Sequence, residues 1–281
     1  MDLIKFKGKQ LFDGYRLLDQ KILITSTDGE IIDIVDESEA GENIREYEGV
    51  LSPGFINCHC HLELSHMKTR IAEASGLVDF IVGILTQRHA PEEEMQEAIE
   101  KAETEMLENG IVAVGDICNN NSTVAQKQKG RLYYHNFIET SGLLPEMAMS
   151  RFERSLEVFR EFAVQYSIPV ESNSIVPHAP YSVSNELWNH ILEFPGNHLL
   201  TIHNQETEGE NEWFMNKSGD FNRLYSQINV DTSSFEPTGR SSLSSFLPRL
   251  YPNQSLILVH NVHTTKEDIV ISRSMANTNS L

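Results

Sequence analysis

The chain has 281 residues, 22 Lys+Arg against 41 Asp+Glu, a formal net charge of −19 and 40% apolar residues. This length suits one α/β barrel of about 250 residues or about two ordinary domains. The acidic balance excludes a general nucleic-acid binder and a polybasic membrane-surface protein, both of which need a basic face. Its three cysteines, Cys58, Cys60 and Cys118, cannot build a disulfide framework. No apolar run approaches the ~20 residues of a membrane span, and the N-terminus lacks the pattern of a secretory signal. The expected setting is the reducing cytoplasm.

Residues 1–50 read as a small β element. Leu3–Phe6, Lys21–Ile24 and Ile31–Val35 are β-rich and are separated by Asp-Gly turns at 13–14 and 28–29. From residue 51 to 281 apolar strands alternate with helical stretches. The strands are expected at 50–58, 111–117, 132–138, 170–176, 199–203 and 256–260. Helices are expected near 78–89, 92–109, 147–166, 184–193 and 241–250. Helix 92–109 places Met95, Ile99, Ala102 and Met106 at helical spacing, with its Glu-rich remainder as a solvated face. The alternation predicts a parallel sheet with crossover helices. Six strand–helix units are visible, where a closed (β/α)8 barrel has eight. Residues 204–253 form a long, weakly periodic connection, either a binding loop or an irregular surface insertion.

Five of the eleven histidines fall at strand ends: His59, His61, His178, His203 and His260. A parallel barrel gathers those ends into one mouth. In Asn57-Cys-His59-Cys-His61, residues two apart share a face, so both imidazoles can reach one metal ion. Cys58 and Cys60 point the other way and read as packing residues. In Thr201-Ile-His203-Asn-Gln-Glu206, a third imidazole ends a strand, with a carboxylate three residues on. That carboxylate can carry a proton between an activated water and a leaving group. His260 ends a strongly apolar strand and can orient the water or polarise the substrate; His263, just beyond, stays unassigned. His178 lies between Pro177 and Pro180, which fix its backbone for a substrate contact, and Ser182 or Ser184 can cap the following helix.

The segments PGFINCHCHLELS, VPHAPYSVS, TIHNQETEGE and LVHNVHT, in that order, resemble the amidohydrolase superfamily, and within it the cytosine/adenosine-deaminase and chlorohydrolase branch. The HLELS and GLVDFI segments are most similar to bacterial aminofutalosine-deaminase-like proteins. The resemblance covers residues 1 to about 270. It implies a (β/α)8 TIM-barrel-type hydrolase with a small β-sandwich, and one divalent metal ion, zinc first and iron as the alternative. It implies His59, His61 and His203 as metal ligands, Glu206 as proton shuttle, His260 as the residue that activates water, and His178 as a substrate contact. The implied partner is a small molecule with an amino-substituted ring, with homo-oligomerisation left open.

One feature departs from that pattern. The family carries an aspartate after its eighth strand as ligand and base, whereas this sequence ends about twenty residues after His260. Glu267 and Asp268, in TTKEDI, read as a helix start and do not replace it. The expectation is therefore an incomplete barrel of about six units, truncated at the C-terminus and inactive or weakly active on its own. The expected reaction is hydrolytic deamination of an aminopurine-type nucleoside or related ring. A triazine- or chloro-type hydrolase on the same scaffold and a non-catalytic fragment are the alternatives.

Overall fold

Pro53 interrupts the first long apolar run, so residues 50–58 do not form one strand. They divide into β7 (Val50–Leu51) and β8 (Phe55–Cys60), because proline cannot donate to a ladder. The structure, a computed structural model, describes residues 2–165 and 168–278. The chain forms two compact units, Met1–Phe55 and Ile56–Leu281.

The first unit contains β1 (Leu3–Lys7), β2 (Gln10–Phe12), β3 (Leu17–Leu18), β4 (Lys21–Ser26), β5 (Ile31–Asp36), β6 (Ile44–Glu46) and β7. One sheet runs β5-β4-β1-β6 and a second runs β3-β2-β7. Gly14 and Gly29 take positive φ in the two Asp-Gly turns, a conformation open to glycine at little cost. Leu11, Ile22, Thr25 and Ser26 are the buried residues of these sheets.

The second unit alternates strands with helices. Its strands are β8, β9 (Ile111–Cys118), β10 (Tyr133–Thr140), β11 (Asn173–Pro177), β12 (Leu199–Asn204) and β13 (Ser255–His260). Among the described residues they form a four-stranded sheet, β11-β10-β9-β8, and a pair, β12-β13. The β9/β10, β10/β11 and β12/β13 ladders are parallel. The His203 N–H donates to the His178 carbonyl at 3.0 Å, linking β12 to the end of β11. Gly115 on β9 permits close approach of β8: a Cβ there would lie 2.6 Å from the Cys58 carbonyl oxygen.

The helices are α1 (Leu77–Gln87), α2 (Glu92–Glu108), α3 (Val124–Lys127), α4 (Ala148–Arg160), α5 (Asn185–Glu193), α6 (Glu208–Asn216), α7 (Phe221–Gln227), α8 (Ser242–Phe246) and α9 (Lys266–Thr278). Leu200 and Ile202 of β12 pack with Leu187, Trp188 and Ile191 of α5 and with Leu243 and Phe246 of α8. Alternation along β12 sends Thr201 and His203 to the opposite face. The Ser184 hydroxyl accepts from the Leu187 N–H at 3.2 Å and caps α5.

Several expected elements change shape. Residues 170–172 form a 3-10 turn before β11, since Pro169 cannot extend the ladder. The helix expected over 147–166 is α-helical only to Arg160, followed by a π turn over Glu161–Gln165; residues 166 and 167 lie outside the described residues. The helix expected over 241–250 is α8 plus a 3-10 turn at Leu247–Arg249, where Pro248 breaks the helical ladder. The irregular connection 204–253 contains α6 and α7, whose core is aromatic rather than periodic: Trp213, Phe214, Phe221 and Tyr225 are buried together.

The solvated face assigned to α2 fails at Glu103, which is fully buried. It accepts bonds from Gln126 and from the Tyr134 hydroxyl and pairs with Arg131. Cys60 packs with the cluster around Leu62 and Ile99, as expected. Cys58 does not pack and is exposed, because β8 is the last strand of its sheet.

Candidate active site

Strand termini supply every side chain of the cluster. His59 is the penultimate residue of β8 and His61 follows its last residue, with ring centroids 4.9 Å apart. His203, the penultimate residue of β12, lies 4.8 Å from the His59 ring and 5.2 Å from the His61 ring. The Nε2 atoms of His61 and His203 approach to 3.1 Å. Either a shared proton or a cation between them resolves that contact. One ring nitrogen from each of His59, His61 and His203 lies within 4.8 Å of the others.

Burial keeps the His59 and His61 rings neutral, as ligation requires. Burial lowers the His59 pKa to about 3, with the charges of His203, His61 and His260 adding to it. Burial also lowers His61. The His203 Nδ1 lies 2.9 Å from the His178 carbonyl oxygen; an N–H donated there leaves Nε2 with a free lone pair facing the cluster. Nδ1 of His59 and of His61 are buried without a hydrogen-bond partner. Three convergent imidazoles, two of them with an orphaned nitrogen, fit a zinc-type donor set.

Glu206 and His260 stand beside this group. Their carboxylate oxygen and Nε2 are 3.5 Å apart, and the His260 ring lies 5.6 Å from that of His203. Both strand ends leave the ladder through left-handed backbone: Gln205 at φ 48°, His260 at 71° and Asn261 at 50°. Each is uncommon for a residue with a Cβ, costs about 1 kcal/mol or more, and persists where surrounding contacts enforce it. His178 lies 5.1 Å from His203 by ring centroids, and its Nδ1 is 2.8 Å from the Ser182 hydroxyl. Burial lowers His178 to about 4, only partly offset by Glu139.

Glu139 joins the cluster without having been anticipated. It sits near the end of β10, 3.6 Å from the His203 Nδ1, and accepts from the Asn119 amide at 3.2 Å. Burial acts to raise its pKa, but His178, His203 and His61 outweigh that and hold it low. It forms a second potential ligand group with His178 and His203. The strand-end rule that finds the histidines would have found it, had acids been included.

These residues open into a cavity of about 870 Å³. Much of its wall is apolar, including Met67, Phe80, Ile84, Leu143, Leu224 and Ile228, with guanidinium groups from Arg88 and Arg151. Glu63 lies in the wall near His61. Burial pushes its carboxyl up to about 7, against the Asn119 N–H at 3.0 Å and the Arg88 guanidinium at 3.5 Å.

Comparisons with known proteins agree with this architecture. The chain is 28% identical over 178 residues to an adenosine deaminase of Helicobacter pylori, covering 63% of this chain and 42% of that protein. It is 24% identical over 223 residues to an aminodeoxyfutalosine deaminase of a Nitratiruptor species, covering 78% and 53%. The chain thus spans about half the length of these curated relatives. The crystal structure of Helicobacter pylori aminofutalosine deaminase matches with a TM-score of 0.77 at 20% identity, over 97% of this chain and 66% of that one. A zinc complex of atrazine chlorohydrolase from Arthrobacter aurescens matches at 0.65 and 15%, over 95% and 62%. At these identities the structural likeness is one of fold, an α/β fold of the TIM-barrel type. The amidohydrolase family model matches residues 50–280, and the chain belongs to that family of enzymes.

Proposed function

We propose that the chain carries the site of a metal-dependent hydrolytic deaminase acting on an aminopurine-type nucleoside or a related amino-substituted ring. The observation that carries this reading is the Glu206–His260 pair, 3.5 Å apart, beside three convergent imidazoles. The relatives named as deaminases support it. In this reading His59, His61 and His203 hold one zinc ion. Bound there, the ion acidifies water towards a pKa near 7.

The protein's own groups do the rest. His260 orients the attacking water towards the ring carbon that bears the amino group. Glu206 takes the proton of that water and delivers it to the adjacent ring nitrogen, a transfer that needs hydrogen-bond reach at both ends. Transfer of the remaining hydroxyl proton to the amino group then lets the tetrahedral carbon collapse, breaking the C–N bond, releasing ammonia and leaving the ring carbonyl. His178, buried at the cavity wall with Nδ1 engaged by Ser182, presents its remaining nitrogen to the substrate.

The test is a panel of aminopurine nucleosides, free bases and chlorinated triazines, incubated with zinc-loaded chain while ammonia and chloride are followed. At least slow release of ammonia from the nucleosides, abolished by Glu206→Gln with zinc content unchanged, is the expected result. Chloride or alkylamine release from triazines would instead assign the site to the other hydrolases of this scaffold. Substoichiometric zinc with no hydrolysis would assign a non-catalytic role.

A further inference from the structure

The proton-carrying role proposed for Glu206 demands a fixed carboxylate, yet Glu206 directly follows a residue with strained backbone. The neighbouring Gln205 is fully buried with left-handed φ. Its side chain is engaged on every side. The Nε2 donates to Asp268 Oδ2 at 3.0 Å and to Asn211 Oδ1 at 3.2 Å, and Oε1 accepts from the Thr264 hydroxyl at 2.8 Å. Its carbonyl accepts from the His263 N–H at 3.2 Å.

Asp268 is the hub of these bonds. It is 1% exposed, and it accepts from the hydroxyls of Ser241, Ser244 and Thr265, from the Thr265 N–H and from Gln205. Burial acts to raise its pKa, but the donors of Ser241, Gln205, Thr265 and Ser244 outweigh it and hold the carboxyl at about 2. Capping α9 needs only the reciprocal bonds with Thr265, at 3.0 and 3.2 Å. The bonds to Gln205, Ser241 and Ser244 exceed that need. They tie the start of α9 and the start of α8 to the tip of β12. The same tip is joined to β13, where the Asn261 N–H donates to the Asn204 carbonyl at 2.9 Å, directly after His260.

We propose that Asp268 is a positioning residue that, through the buried Gln205 side chain, holds the strained ends of β12 and β13 and thereby the Glu206–His260 pair. The helix-start acid is thus more than a cap: it is the anchor of the group that orients the water and the group that carries its proton. This rests on the proton-carrying role proposed above for Glu206.

Three full-length variants test it, with Asp268→Asn as the principal change. Thr265→Ala is the capping control. Ser244→Ala removes one donor and leaves the anion in place. Amide hydrogen exchange is read by mass spectrometry, and ammonia release is followed on the best substrate. Loss of charge-assisted bonds of this kind is expected to accelerate exchange at residues 203–206 and 261–263 about tenfold or more. It is also expected to lower kcat by about the same factor with KM within twofold. Thr265→Ala should loosen α9 alone, and Ser244→Ala should give a smaller change of the Asp268→Asn kind, which also decides the matter if Asp268→Asn does not fold. Identical exchange patterns in Asp268→Asn and Thr265→Ala would overturn the proposal, as would an unchanged 203–206 segment in both Asp268→Asn and Ser244→Ala. If no substrate is turned over by the unaltered chain, the deaminase reading fails, while the exchange comparison still decides the anchor.

Discussion

Replacing Lys127 with methionine is expected to be among the costliest single changes in the second unit. Lys127 Nζ lies 2.6 Å from Asp116 Oδ2, with the two side chains 3% and 0% exposed. Burial acts to lower the Lys127 pKa, but Asp116 and Cys118 outweigh it and raise it, so the ammonium stays charged. The ammonium also donates to Asn136 Oδ1 at 2.7 Å and lies over the Tyr134 and Phe162 rings. Methionine keeps much of the packing on those rings. It leaves Asp116 as a buried carboxylate with the Leu62 N–H, at 2.8 Å, as its remaining strong donor.

An unpaired buried charge of this kind costs about 3–5 kcal/mol. At roughly 2–4 °C per kcal/mol for a chain of this size, the melting temperature should fall by roughly 6–20 °C. The double variant Asp116→Asn/Lys127→Met removes both charges and should recover most of the loss, since such pairs are often close to neutral overall. Guanidinium titration of the three variants gives the free energies if the m-values agree. A single-variant cost below about 1 kcal/mol, or a double variant as unstable as Lys127→Met, would refute the reasoning.

Three further outcomes are expected. His203→Ala should take bound zinc from about one equivalent to a small fraction in metal analysis of folded protein; undiminished zinc would show that the three imidazoles are not the ligand set. Burial pushes the Glu210 carboxyl up from 4.5 to about 7. The folded chain therefore keeps a proton that the unfolded chain releases between those values, and the contribution of Glu210 to stability falls as pH rises through that window, by at most about 3 kcal/mol. Glu210→Gln should show a shallower fall, the share from Glu63 remaining, and equal pH slopes in urea titrations would contradict the assignment. Trp213→Ala, at the centre of the α6–α7 aromatic cluster, should cost about 3–5 kcal/mol and expose residues 205–240 to limited proteolysis first. A cleavage pattern like that of the unaltered protein would argue against a locally organised insertion.

The parts legible in the sequence are those with a strong local signal. Apolar runs bounded by helical stretches located β9 to β13 within a few residues. The strand-end histidines could be placed together because parallel strands deliver their ends to one side. The parts that escaped depend on long-range partners. Glu103 looks like any other acid of α2 until Tyr134 and Gln126 close over it. Asp116 and Lys127 become an ion pair only when α3 folds back against β9. Helices α6 and α7 bury aromatic rings against one another, so their apolar residues do not recur at a helical period. Asp268 showed as a helix start, but nothing local announced its bond to Gln205, 63 positions away.

The connection between β12 and β13 has a consequence for how such a site can diversify. The two strands pair in register, with Asn204 opposite His260, although residues 205–254 separate them. Loop-closure entropy grows only slowly with length, so an insertion there is thermodynamically cheap. Its helix α7 and the residues after it contribute Leu224, Tyr225, Ile228 and Val230 to the cavity wall, while the imidazoles ride on the strands. The imidazoles and this part of the cavity wall are therefore inherited through separate stretches of chain. A lineage could exchange α7 and the loop after it, and with them the shape of the cavity wall, without disturbing an imidazole or Glu206.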